Sequence, residues 1–125
     1  MKLLMPLSGR ITSKFGDRIH PVTRKKTFHN GIDIAGPIGE PIYSPDVGIV
    51  TDVYTTEKGG LTLITQHGGV ESRMCHLDKV HVKKGDQLAR GQRIADCGNT
   101  GVGTGPHLHW GLKIKGNYVN PEDYI

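Results

Sequence analysis

His107-Leu108-His109-Trp110-Gly111-Leu112-Lys113-Ile114, introduced by Pro106, is the stretch from which the chain reads outward. Side chains on a strand alternate between faces, so Leu108, Trp110, Leu112 and Ile114 form one apolar face while His107, His109, Gly111 and Lys113 lie opposite. One face anchors a half-buried strand, and the other turns two imidazoles the same way. Two such histidines are ordinary on a sheet surface unless other segments bring partners to them.

Upstream, the chain breaks into short extended segments. Val47 to Tyr54 reads as a strand, Glu57-Lys58-Gly59-Gly60 as a turn, and Leu61 to His67 as the second strand of a hairpin. After Gly68-Gly69, Val70 to Leu77 reads as a third strand, and Val82 to Leu88 and Gly91 to Cys97 add two short segments. Residues 6–20 read as a loop or short strand, Pro21 to Lys26 as an exposed turn, Ile34 to Ile42 as a tight corner, and Gly116 to Ile125 as a hairpin turn with a short closing segment. The predicted fold is all-β, a mainly antiparallel sheet or sandwich with little helix, in one domain over residues 1–125. The 18 glycines and 7 prolines agree with a turn-rich β protein. Residues 98–106, GNTGVGTGP, hold four of those glycines, a composition that lets backbone approach a ligand closely.

A chain of 125 residues can bury a core without a metal staple, so a bound metal would be functional. The net charge of +4 favours an anionic partner. The basic clusters Arg24-Lys25-Lys26 and Lys83-Lys84 carry no interleaved aromatics, so nucleic-acid binding has no support beyond charge. The apolar start is cut by Pro6, short of the ~7–15 residues of a secretory core, and no run approaches the ~18 needed to insert in a membrane. Cys75 and Cys97 lack C-x-x-C spacing and read as small buried residues, with a disulfide between them open only if their strands are neighbours. Strand alternation would put Cys75 and His76 on opposite faces.

Partners for the two histidines come from Phe28-His29-Asn30-Gly31-Ile32-Asp33-Ile34. Asn30-Gly31 and the following Gly36-Pro37 argue against a helix, and a bent strand would still aim His29 and Asp33 at one point. A catalytic zinc takes three protein ligands, and two histidines with one carboxylate are a common set. His-x-x-x-Asp, a later His76-Leu77 and His-Leu-His make a specific combination.

At these residues the chain resembles peptidase family M23, the zinc-dependent peptidoglycan endopeptidases of the lysostaphin and LytM type. The resemblance begins at Pro6-Leu7-Ser8-Gly9 and passes through Phe15-Gly16-Asp17-Arg18, His20-Pro21, His76-Leu77, Val82-Lys83-Lys84-Gly85-Asp86, Gly91-Gln92 and Gly98-Asn99-Thr100-Gly101. It ends at Thr104-Gly105-Pro106-His107-Leu108-His109 and Val119-Asn120-Pro121. It implies a LytM-like duplicated-hybrid-motif fold, a zinc ion (Zn2+) held by His29, Asp33 and His109, and His76 and His107 as non-ligand catalytic histidines. Either of these can orient or deprotonate water or stabilise an oxyanion. It also implies peptidoglycan peptides as substrate and the bacterial cell wall as the place of action. Met74 stands where the family usually has Tyr, and Trp110-Gly111 where it often has Phe-Glu; both bear on groove shape. His20 and His67 fall where the family often carries structural histidines, His81 has no claim on the metal, and Arg18 fits a groove or a surface role equally.

Two other readings compete. Some relatives of this fold have lost metal ligands and regulate other wall hydrolases, but all five expected residues are present here. Val82-Lys83-Lys84-Gly85-Asp86 also looks like lipoyl or biotinyl carrier domains, without the modified lysine at a hairpin tip. With the resemblance starting in the first ten residues, the expectation is a monomeric, nearly bare catalytic unit: a phage lysin, a virion-associated enzyme, or a domain excised from a secreted protein.

Overall fold

A computed structural model describes residues 2–19, 23–102 and 105–125, so His20 and the first two residues of the turn expected from Pro21 to Lys26 lie outside the described residues; the rest of that turn, 23–26, is exposed. The strands are β1 (Ile11–Ser13), β2 (Gly16–Ile19), β3 (Lys26–His29), β4 (Ile32–Ala35), β5 (Pro41–Tyr43), β6 (Gly48–Thr56), β7 (Gly60–His67) and β8 (Val70–Leu77). They continue as β9 (Lys79–Val80), β10 (Gln87–Leu88), β11 (Arg93–Asp96), β12 (His107–Ile114) and β13 (Asn117–Val119), before a 3-10 turn at Pro121–Asp123. The all-β expectation holds, and the β6-β7-β8 meander runs where the turn glycines put it. The corner after Ile34 contains one unexpected strand, β5. The segment read from Val82 to Leu88 is strand only at its end.

The large sheet has the order β1-β4-β12-β8-β7-β6-β10, with β13 pairing the far part of β12; β5-β11-β9 and β2-β3 form two small sheets. Its decisive feature is that β12 lies between β4 and β8. Asp33 and Cys75 therefore flank His109 in register, from segments 76 and 34 residues away in the chain. Neighbours across a ladder share a face, so these three side chains leave the sheet together.

The opposite face is core. Leu108, Trp110 and Leu112 are fully buried in one cluster with Ile32, Ile34, Leu63 and Met74 of the large sheet and Ile42 and Ile94 of the small one. The two layers thus close as a sandwich. Trp110 satisfies its indole N–H on Ser72 Oγ at 2.9 Å inside this core. Met74, which faces Trp110 in register, is wholly buried, so that departure from the family pattern is a core matter and does not shape the groove.

Strict alternation fails at one place, and it matters for the site. Leu61 pairs with Leu77 and Leu63 with Met74, so β8 carries an extra residue there, and His76 adopts φ 65. This β-bulge re-aims the chain. Cys75 and His76, expected on opposite faces, both line the same cleft, and Leu77 is returned to the core.

Candidate metal centre and its cleft

His29 ends β3 in the two-stranded sheet, whereas Asp33 lies in β4 of the large sheet, directly opposite His109. The four-residue spacing therefore joins two sheets rather than running along one bent strand. Asn30-Gly31 makes the step, and only glycine fits at 31: a Cβ there would sit 2.5 Å from the carbonyl oxygen of Trp110.

Three donor atoms converge. Asp33 Oδ1 is 3.0 Å from His109 Nδ1 and 3.4 Å from His29 Nε2, and the two nitrogens are 3.2 Å apart. Tetrahedral zinc with ligands at about 2.0–2.1 Å places neighbouring donors about 3.3 Å apart, so the three atoms match three corners of such a site. The tautomers agree. His29 donates Nδ1–H to the Lys14 carbonyl at 3.0 Å, and His109 donates Nε2–H to Asn30 Oδ1 at 3.1 Å, leaving a lone pair on each inward nitrogen. When those inward nitrogens carry protons instead, they point at Asp33: burial alone would push its carboxyl up, but hydrogen bonds from the protonated His109 and His29 outweigh it and hold the group well below its ordinary 3.8. The bond to Asp33 is also the main cause that raises His29 above 6.5, against burial. Two imidazoles and an ionised carboxylate are a set that suits zinc.

His76 and His107 stand beside this cluster, His76 with its ring centroid 6.4 Å from that of His109 and His107 with Nε2 4.0 Å from Asp33 Oδ1. Each spends its Nδ1–H on a backbone carbonyl, His76 on Thr100 and His107 on Gly105, both at 2.7 Å. Both carbonyls belong to the glycine-rich loop. The loop packs tightly on the chain itself: a Cβ at Gly101 would lie 2.4 Å from the Gly60 nitrogen. Its work here is to fix two rings. Burial lowers His76 below 6.5.

All five expected residues line one cleft of about 750 Å³. Among the described residues its charged lining is Arg18, Lys58 and Arg73 against Asp33 alone. Of the two places open to Arg18, the groove and the plain surface, it takes the groove. His67 is buried and bonded to Thr65 Oγ1 and the Val47 carbonyl, and His81 pairs with Asp96 at 3.0 Å; both are structural. Both cysteines are free; Cys97 is buried as expected, but Cys75 is half-buried and faces the cleft. Asn30 and Thr100 were missed as functional residues. A polar side chain next to a ligand is a usable signal for the first, whereas the second acts through its backbone and leaves none.

The chain belongs to peptidase family M23, whose sequence pattern matches residues 27–121. It is 46% identical over 113 residues to the peptidoglycan DD-endopeptidase ShyA of Vibrio cholerae serotype O1, covering 89% of this chain and 26% of that protein. The crystal structure of a zinc containing peptidase from Vibrio cholerae superposes with a TM-score of 0.87 at 42% identity, over 92% of this chain and 37% of that one. The structure of LytU superposes at 0.83 with 37% identity, over 94% and 84%. The fold is therefore the LytM-like one of the family, and the chain spans about a quarter of the length of the curated relatives it matches.

Proposed function

We propose that this chain is the catalytic domain of a zinc-dependent endopeptidase that hydrolyses peptide bonds in the stem peptides or cross-bridges of bacterial peptidoglycan, acting at the cell wall. One observation carries this reading: three donor atoms 3.0–3.4 Å apart share a cleft with two more imidazoles anchored through Nδ1. The relatives named peptidoglycan DD-endopeptidases support the substrate class. His29, Asp33 and His109 hold the metal, and His76 and His107 act on the substrate; one chain supplies all five.

Zinc, when bound, would supply Lewis acidity, lowering the pKa of water far below its bulk value, to about 7, and polarising the scissile carbonyl. The protein supplies the proton handling. With Nδ1–H committed to a carbonyl, each of His76 and His107 has an Nε2 lone pair to take the proton of the attacking water. The imidazolium so formed donates from Nε2 to the tetrahedral oxyanion and then to the leaving amine. Lys14 and Asn30 keep the ligand rings in their tautomers, and the positively lined cleft suits an anionic wall.

The test is digestion of purified walls of defined cross-bridge type, read by mass spectrometry of released fragments, with metal analysis of the protein. One zinc per chain and new termini within the stem or bridge are expected. Absence of zinc after purification, with no fragments when zinc is supplied, would overturn the reading.

A further inference from the structure

One cation in the cleft is built in a way the metal centre does not use. Arg73 lies on β8 two residues from Cys75, on the same face and opposite Gly111 of β12. Its guanidinium donates to the hydroxyl of Tyr54 at 2.8 Å and to that of Tyr118. Tyr54 comes from β6 and Tyr118 from β13, so three strands besides β12 converge to hold one half-buried side chain. Gly111 makes the seat: a Cβ there would lie 3.5 Å from the Tyr118 ring and 3.1 Å from the Asn30 carbonyl. Lys113 places Nζ 4.7 Å from the centroid of the same tyrosine ring.

What Arg73 lacks is a carboxylate. Among the described residues no Asp or Glu forms a salt bridge with it, and Glu71, two residues along the same face, does not pair with it. Two phenol hydroxyls orient the planar fork but leave its charge uncompensated and other N–H groups unused. An oriented, uncompensated guanidinium facing a cleft matches a carboxylate bidentately.

We propose that Arg73, set by Tyr54 and Tyr118, is a specificity residue that binds a free carboxylate of the peptide substrate. The proposal rests on the peptidase reading and names a chemical feature of its substrate. Strand geometry gives the spacing. Cys75 is level with His109, and two residues along β8 is about 7 Å, so an extended peptide lying along the cleft brings a carboxylate to Arg73 one to two residues from the scissile bond. Two such groups of a stem peptide fall within that reach: the α-carboxylate at the chain end and the side-chain carboxylate of a diamino diacid residue.

The experiment uses the zinc-loaded protein and three uncross-linked stem tetrapeptides, one with free carboxylates, one amidated at the side chain and one amidated at the C-terminus. Binding is read by calorimetry. Amidation of one of the two positions should weaken binding about 10- to 100-fold, naming the source, and Arg73→Met should erase that difference while zinc content stays unchanged. Arg73→Lys, which keeps charge without the fork, should keep part of the preference. On cross-linked walls Arg73→Met should raise KM more than it lowers kcat. If Arg73→Met proves unfolded, Tyr118→Phe should shrink the preference several-fold. Wild-type protein indifferent to both amidations, or an Arg73→Met protein as selective as wild type, overturns the proposal. Walls left intact despite carboxylate-dependent peptide binding would instead remove the peptidase reading and keep this site.

Discussion

The rings of His76 and His107 stand with centroids 4.7 Å apart, and each turns Nδ1 to a carbonyl of one loop, Thr100 and Gly105. The two histidines come from different strands, yet their orientation has a single source. A glycine-rich segment set against the turn before β7 fixes both rings, which separates their role from that of the ligand set held by Lys14 and Asn30.

That separation gives a split phenotype. His107→Ala and His76→Ala should each keep zinc and lower kcat by about 10²–10⁴, whereas His109→Ala and Asp33→Ala should lose the metal and wall lysis together. Metal content measured beside activity decides, and loss of zinc from His107→Ala would reverse the assignment within His-Leu-His.

Asn30 accepts the Nε2–H of His109 at 3.1 Å and lines the cleft beside it. Asn30→Ala frees that ring to turn and should weaken zinc binding about 10- to 100-fold, measured by competition with a chelator. Unchanged affinity would show that β12 alone fixes the ring.

Thr100 ties the loop down, its Oγ1 donating to the Leu77 carbonyl at 2.7 Å and accepting from the Leu61 N–H at 3.1 Å. Thr100→Val keeps the shape and leaves both groups unpaired, at a cost of about 1–3 kcal/mol. Thermal unfolding should report that loss. kcat should fall at constant zinc content, because the carbonyl that orients His76 belongs to the same residue; a variant with full kcat would show that the loop needs no such tie.

Far from the cleft, the buried Asp96 accepts from Arg93 at 2.7 Å and from His81 at 3.0 Å. Burial would push its carboxyl up, but these two partners outweigh it and hold the group below 3.8. A carboxyl lowered by folding adds stability in full above the unfolded value near 3.9, and loses it as pH falls through the lower folded value. Asp96→Asn should therefore lower Tm at pH 7 and flatten its decline below pH about 4. An equally steep acid decline in both proteins would sink this linkage.

Sequence alone determined the antiparallel character, the meander from Val47 to Leu77, and the apolar face of Leu108, Trp110 and Leu112, because alternation and turn chemistry are local rules. It also carried the family, since His29, Asp33, His76, His107 and His109 sit in recognisable short motifs. Only the tertiary structure decided which segments meet. The insertion of β12 between β4 and β8 is a long-range pairing that no local pattern encodes, and it sets Asp33 and Cys75 on either side of His109. The bulge at His76 overturned the alternation that had turned it away from Cys75, because one extra residue in a ladder reverses the facing of everything beyond it. Arg73, Tyr54 and Tyr118 are unremarked in the sequence for the same reason: their meeting depends on three strands folding around one glycine.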